Sequence, residues 1–237
     1  MVQRILLLGV LLGVFVVACR EAPPPELPPE EILQRSAERM QALSGFHFVI
    51  ERTGAPAYLD PDGTISFRRA EGDYVAPDRT RAVVRVIAPG LVTDVNVVSV
   101  AAVQWQTNIL TGAWEELPPN WGFNPAVLFD AEVGLQAVLT ADFRNLSLVG
   151  TEKLDDGPDE LLYVVSGDVA GERMYRMSGG LIGPEMVQAR LWIRPSSFEL
   201  VRALVTEPVA EASEPSVWQI DFSEFGRVVA IEPPVQR

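Results

Sequence analysis

The sequence predicts an α+β domain: one antiparallel sheet of about ten strands with helical insertions. Two patterns and one absence lead to this fold class. Apolar residues recur at helical spacing between Glu30 and Leu43, where Ile32, Leu33, Ala37, Met40 and Leu43 share a face and charges fill the other. From Phe46 onward the apolar period drops to two, the repeat of a half-buried strand. No internal repeat and no composition break divides the alternating stretches, so a single sheet accounts for them all.

The elements follow in chain order. Met1 to Arg4 supplies a short positive start, Ile5 to Ala18 is an unbroken apolar run, and the small Ala18 directly precedes Cys19, the one cysteine of 237 residues. This is a signal peptide in outline over residues 1–18. Its apolar run is too short to cross about 30 Å of hydrocarbon as a stable helix. The pattern aliphatic-Val-Ala-Cys resembles the lipobox of bacterial lipoproteins, which implies a diacylglyceryl thioether on Cys19, cleavage before it and acylation of the new amino terminus. Two or three acyl chains give a stable membrane anchor where one would not. The competing reading is a secreted protein with a chance cysteine near the cut, and an unpaired cysteine is unusual in such chains.

Residues 19–29 carry prolines at 23, 24, 25, 28 and 29. Such a segment is extended and stiff, at ~3.1 Å per residue, and reads as a tether to the domain of residues 30–237. After the helix, Ser44-Gly45 stops the helical period. Phe46, Phe48 and Ile50 then face one side of a strand, with His47, Val49 and Glu51 on the other. The turn Asp60-Pro-Asp-Gly63 leads into Ile65-Ser-Phe67, and Glu71-Gly-Asp73 is expected to interrupt the next stretch. Ala82, Val84, Val86 and Ala88 alternate cleanly, as do Val95, Val97 and Ser99. Val103, Trp105, Thr107 and Ile109 form the apolar face of a further strand against Gln104, Gln106 and Asn108.

Asn124-Pro125 is an N-cap with proline at the first helical position, so a helix is expected to start there. It carries Leu128, Phe129, Val133, Leu135, Val138 and Leu139, apolar on more than one side. Strands resume over 145–149 and 160–165, and a glycine-interrupted apolar helix or lid over 171–183 follows. Three closing strands are expected at 187–193, 200–206 and 217–222.

Composition excludes several function classes. The formal net charge is −13 and no Lys/Arg cluster exists, which argues against nucleic acid and against electrostatic docking on anionic lipid. With Cys19 committed to lipid no disulfide can form, so burial holds the fold. His47 is the sole histidine, and it is expected on the strand face turned away from the core. No Gly-x-Ser-x-Gly elbow, Cys/His cluster, calcium loop or phosphate-cradling glycine motif is present. The expected cofactor set is therefore none, and no metal site or catalytic residue is assigned. Tryptophans at 105, 114, 121, 192 and 218 have two readings, sugar-stacking platforms or core and hairpin pairs, of which the second is the commoner.

The order of elements, together with the segments LVGTEKLDDG (148–157), ARLWIRP (189–195) and IDFSEFGRVVAIEPP (220–234), resembles the LppX/LprAFG family of bacterial lipoproteins, related in fold to the LolA/LolB carriers. The resemblance covers essentially all of the mature chain. It implies a strongly curved, half-open β-barrel whose concave face, covered by helices, holds acyl chains of a lipid or glycolipid outside the cytoplasmic membrane. It also makes an envelope transporter a candidate partner. Residues 171–183, short and Gly-rich, depart from the family pattern. Strand parity and helix position then nominate Phe48, Val84, Val86, Val97, Leu128, Phe129, Val138 and Leu191 as cavity-lining. A non-catalytic sensory or interaction module, binding a membrane-protein or cell-wall partner through its convex face, is the alternative.

Overall fold

The computed structural model describes residues 24–118, 127, 130, 132–208 and 214–235. Helix α1, Pro29–Gln41, starts where proline at the first turn leaves no amide to satisfy and Glu30 and Glu31 sit at the positive end of the helix dipole. Its Ile32, Leu33, Ala37 and Met40 stripe is buried. Strands β1 (Gly45–Thr53), β2 (Ser66–Val75), β3 (Arg79–Ala88), β4 (Leu91–Val100), β5 (Val103–Thr107) and β6 (Trp114–Glu116) form one meander. A second runs through β7 (Phe143–Glu152), β8 (Leu162–Val169), β9 (Val187–Ile193), β10 (Leu200–Thr206) and β11 (Val217–Ser223). Between the meanders a short helix α2, Leu135–Ala137, runs into a π-helical turn, Val138–Asp142. Between β8 and β9 lies α3, Gly171–Met177.

The last strand pairs antiparallel with the first, from His47↔Ser223 to Thr53↔Val217. The two meanders thereby fuse into one sheet of order β6-β5-β4-β3-β2-β1-β11-β10-β9-β8-β7. The sheet is curved and unclosed, with β6 and β7 as its two edges. The strand beyond the expected ten is β6, three residues long and paired with β5 through Thr107↔Trp114.

Alternation places the core on the concave face. Phe46, Phe48 and Ile50 of β1, Tyr163, Val165 and Val169 of β8, and Val187, Ala189, Leu191 and Ile193 of β9 join the α1 stripe, Val138, Leu139, Met174 and Met177 in one apolar cluster. Helix α1 lies across the end of the sheet where β1 begins. There Tyr163 Oη donates to the Pro25 carbonyl (2.6 Å), Arg39 Nη2 donates to Glu199 (2.7 Å), and Arg35 stacks on Phe198. The loop 54–65 between β1 and β2 lies at the opposite end of the strands.

Two departures from the sequence reading have clear causes. Strand β2 continues straight through Glu71-Gly72-Asp73, where an interruption was expected. The glycine serves close strand approach, since a Cβ there would lie 2.7 Å from Ala82 Cα and 2.8 Å from its Cβ. Strand β5 is also turned over. Trp105 packs outward against Val98, Val75 and Ile231, under the C-terminal segment that carries Val229. Gln104 and Gln106 therefore face the concave side. The expected helix start at Asn124-Pro125 lies outside the described residues.

Gly72→Ala is expected to lower stability by about 1–3 kcal/mol through overpacking against β3. A fall in the urea midpoint at unchanged slope would show it.

Candidate functional site

Cross-strand registers stack the concave face of β2–β5 in four rows. From the loop end these are Phe67–Val86–Thr93, then Ala70–Val84–Val95, then Gly72–Ala82–Val97–Gln106, and last Tyr74–Thr80–Ser99–Gln104. The first three rows are almost wholly apolar and the fourth is polar. Over this half of the face lies a pocket of about 330 Å³. Its walls are Phe67, Val84, Val86, Val95 and Val97 from the sheet, Leu59, Asp60, Pro61 and Ile65 from the loop, and Gln104, Gln106, Ile109 and Leu117 from β5 and its flanks. That volume sits at the lower end of the ~300–1,000 Å³ typical of small-molecule sites.

The loop wall is held by one carboxylate. Asp60 accepts from the Thr64 amide (3.0 Å), the Thr64 hydroxyl (2.7 Å) and the Ile65 amide (2.6 Å). The Leu59 amide donates to the Ile65 carbonyl (2.7 Å) and closes the turn. The Ile65 amide, and after it the Thr64 hydroxyl, hold the Asp60 carboxyl below the usual carboxylate range. The turn thus keeps its charge, and its shape, throughout the neutral range.

Of the residues nominated from sequence, Val84, Val86 and Val97 line this pocket. Phe48, Val138 and Leu191 lie in the close-packed part of the concave core, buried among neighbours. Leu128, Phe129 and Cys19 lie outside the described residues. Sequence parity passed over Val95, which shares the Val97 face and was within its reach. Nothing in the sequence marked Leu59 or Leu117, which are placed by loops, or the two glutamines, whose facing depends on which side of β5 the tail covers; Ile109, read on one strand face with Trp105, reaches the pocket from beyond the end of β5.

A larger groove of about 610 Å³ lies on the outer face of β1–β4, with Trp114 of β6 at its edge, and is charged. There His47 Nδ1 is 3.1 Å from Asp73 Oδ1, Arg81 donates to Asp73 Oδ2 (3.1 Å), and Arg227 is 3.6 Å away. Burial opposes ionisation of Asp73, but the bonds from His47 and Arg81 outweigh it and hold its carboxyl below the usual range. Arg85 and Asp94 continue the lattice with two hydrogen bonds. His47 is therefore a member of an outer ion-pair network, remote from the apolar pocket. Among the described residues no group of three or more His, Cys, Asp or Glu is arranged to hold a metal.

An unclosed antiparallel sheet, curled round an apolar core and pocket with helices against its concave side, defines a half-barrel. The chain belongs to the LppX_LprAFG lipoprotein family, whose model matches residues 28–231. Its fold is similar to that of LprF from Mycobacterium bovis, with a TM-score of 0.66 at 19% identity over 89% of this chain and 99% of that one. The lipoprotein LppX of Mycobacterium tuberculosis is similar too, with a TM-score of 0.60 at 17% identity over 86% and 98% of the two chains. Comparison with curated protein sequences gave no match.

Tyr74, at the polar end of the concave rows, donates its hydroxyl to the Pro77 carbonyl (2.8 Å). Burial, reinforced by Asp78 and Asp130, pushes its phenol up to about 12. A raised phenol pKa favours the neutral form in the fold. Its stabilising contribution is complete below the unfolded value near 10 and disappears as pH rises through the folded one. Tyr163 is shifted upward as well, chiefly by burial. Absorbance titration at 295 nm is therefore expected to show two of the four tyrosines ionising late, and Tyr74→Phe should remove the later of those two steps.

Proposed function

We propose that this chain is a membrane-anchored, extracytoplasmic lipoprotein that takes acyl chains of a lipid or glycolipid into the β2–β5 pocket and carries them to or from the cell envelope, without catalysis. One observation carries the reading. The half of the concave face bounded by β2–β5 and the 54–65 loop holds an apolar space of about 330 Å³, whereas the half formed by β8–β11 is packed by α1 and α3. A methylene occupies about the volume of a liquid water, roughly 30 Å³, so the space corresponds to about ten methylenes. Burial of ten methylenes gains about 8 kcal/mol relative to water. Relative to a bilayer the gain is near zero, so such a pocket exchanges chains with membranes instead of trapping them.

Lipidation of Cys19 gives this chemistry its place. Pro25 is held at the α1 end of the sheet by Tyr163, and six residues of tether reach about 20 Å from there to Cys19. The 54–65 loop stands at the other end of the strands, about 33 Å farther for a ten-residue strand. An upright domain would hold that end of the pocket away from the anchoring leaflet, as suits outward delivery, with an envelope transporter as the natural partner on the loading side. The exposed Tyr58 of the loop and Ile87, Leu91 and Val92 at the β3–β4 hairpin give that end apolar tips. The alternative, an interaction module using its convex face, rests on the charged outer groove. Cross-linking through Arg81 or Arg85 that captured an envelope protein would favour it.

Native mass spectrometry of protein recovered from membranes is expected to find bound lipid. Val97→Trp, which fills the pocket, is expected to abolish that occupancy while leaving the circular-dichroism spectrum in place. Undiminished lipid in this variant would place the ligand elsewhere. Cys19→Ser is expected to appear in the soluble fraction, folded and still lipid-binding when purified, and to fail in delivery between membranes. Retention in the membrane fraction would contradict the anchor.

A further inference from the structure

The pocket contains an unused set of hydrogen-bonding groups. Gln104 and Gln106 project from β5 into its wall, two residues apart on one face. Gln104 is 93% buried, being only 7% exposed, and neither carboxamide has a hydrogen-bond partner among the described residues. Next to Gln104 across the sheet stands Ser99, and next to Ser99 stands Thr80. Both hydroxyls are closed to solvent and make no hydrogen bond among the described residues. Buried polar groups are satisfied in the great majority of cases, so two closed, unsatisfied hydroxyls beside two unpaired carboxamides that open into an apolar pocket call for a partner. The charge of that partner is constrained too. No Lys or Arg lines the pocket, and its single carboxylate, Asp60, already accepts from the amides and hydroxyl of its own turn. An ionised headgroup would enter with nothing to compensate its lost hydration.

Building on the carrier reading, we infer that Gln104 and Gln106, with Ser99 and Thr80 behind them, form a neutral polar subsite that binds an uncharged oxygen function of the acyl ligand, an ester carbonyl or a hydroxyl. A carboxamide offers both donor and acceptor, so it serves either group, and the apolar rows above it hold the hydrocarbon. The pocket then selects for chains bearing such an oxygen and against both bare alkane and free carboxylate. Position along the chain is selected as well, because the apolar rows between the loop and the two glutamines set the distance from the loop to the oxygen.

The test uses the full chain and three probes of matched length: methyl laurate, tridecane, and laurate at pH 8, each displacing the neutral fluorophore 1-aminoanthracene. Methyl laurate is expected to bind at least about tenfold more tightly than laurate. Gln104→Met, close in shape and lacking the amide, is expected to lower the affinity ratio of methyl laurate to tridecane by about five- to tenfold, the loss of one hydrogen bond. Ser99→Ala, a smaller change that keeps the fold, is expected to lower the same ratio by about threefold. An unchanged ratio in both variants would overturn the subsite while leaving the carrier reading intact. Laurate binding as tightly as its methyl ester would overturn the uncharged class. Binding of none of the three probes by the unaltered protein would overturn the carrier reading and the subsite with it.

Discussion

The seam between β1 and β11 is the constraint on which the rest of this molecule depends. Each meander is built from neighbouring strands and closes only local contacts, but their union pairs residues near 47–53 with residues near 217–223. Without that union there would be two small sheets, each with an apolar face too narrow to curl round a core. With it, the twist of eleven strands accumulates in one direction and the apolar faces of both meanders turn toward a common interior. Pairing of this kind carries a large loop-closure cost and is expected to form late in folding. Phe46 and Phe222 meet edge to face across the joint, with ring centroids 5.5 Å apart, and Phe46 also packs on Tyr74 of β2. The aromatic contacts thus hold β2, β1 and β11 together where the two meanders join.

From the seam outward the two halves of the concave face have different fates. On the β8–β11 side α1 and α3 supply Ile32, Leu33, Met174 and Met177, and interiors of this kind close-pack. Among the described residues the helices gather over β8–β11: α1 meets Phe198 and Glu199 just before β10, and α3 lies between β8 and β9. On the β2–β5 side the described cover is the 54–65 loop, tied by Asp60, with Ile109 and Leu117 from the flanks of β5. Outside, the same strands carry alternating charge. Arg69, Glu71, Asp73, Arg81, Arg85 and Asp94 compensate one another on the β2–β4 surface.

Much of the fold was legible because alternation is a local signal. Phe46, Phe48 and Ile50 announce which side of β1 is buried, and Val187 to Ile193 do the same for β9. The α1 stripe and the start of α3 were legible for the same reason. The failures share a cause. Gly72 resembles a strand breaker until the neighbouring Ala82 is seen to need its missing side chain. Strand β5 resembles an ordinary amphipathic strand with Trp105 inward, yet its outer face is covered by the tail at Ile231, more than a hundred residues away. Local pattern reports that one face of β5 is apolar, and only the far end of the chain decides which side that face lies on.

The candidate site divides along the same line. Sequence alone determined the single cysteine after an apolar run, the proline-rich segment that follows it, the single sheet with its period of two, and the nomination of Val84, Val86 and Val97, because each of these is written in residues adjacent or alternate along the chain. Tertiary structure decided that Phe48 and Leu191 pack in the core while those valines face open space, that two glutamines enter the pocket, and that the loop at Asp60 closes one wall. Those outcomes depend on which strands become neighbours and what covers them. That choice is made by the long-range pairing of β1 with β11, which no local stretch of sequence encodes.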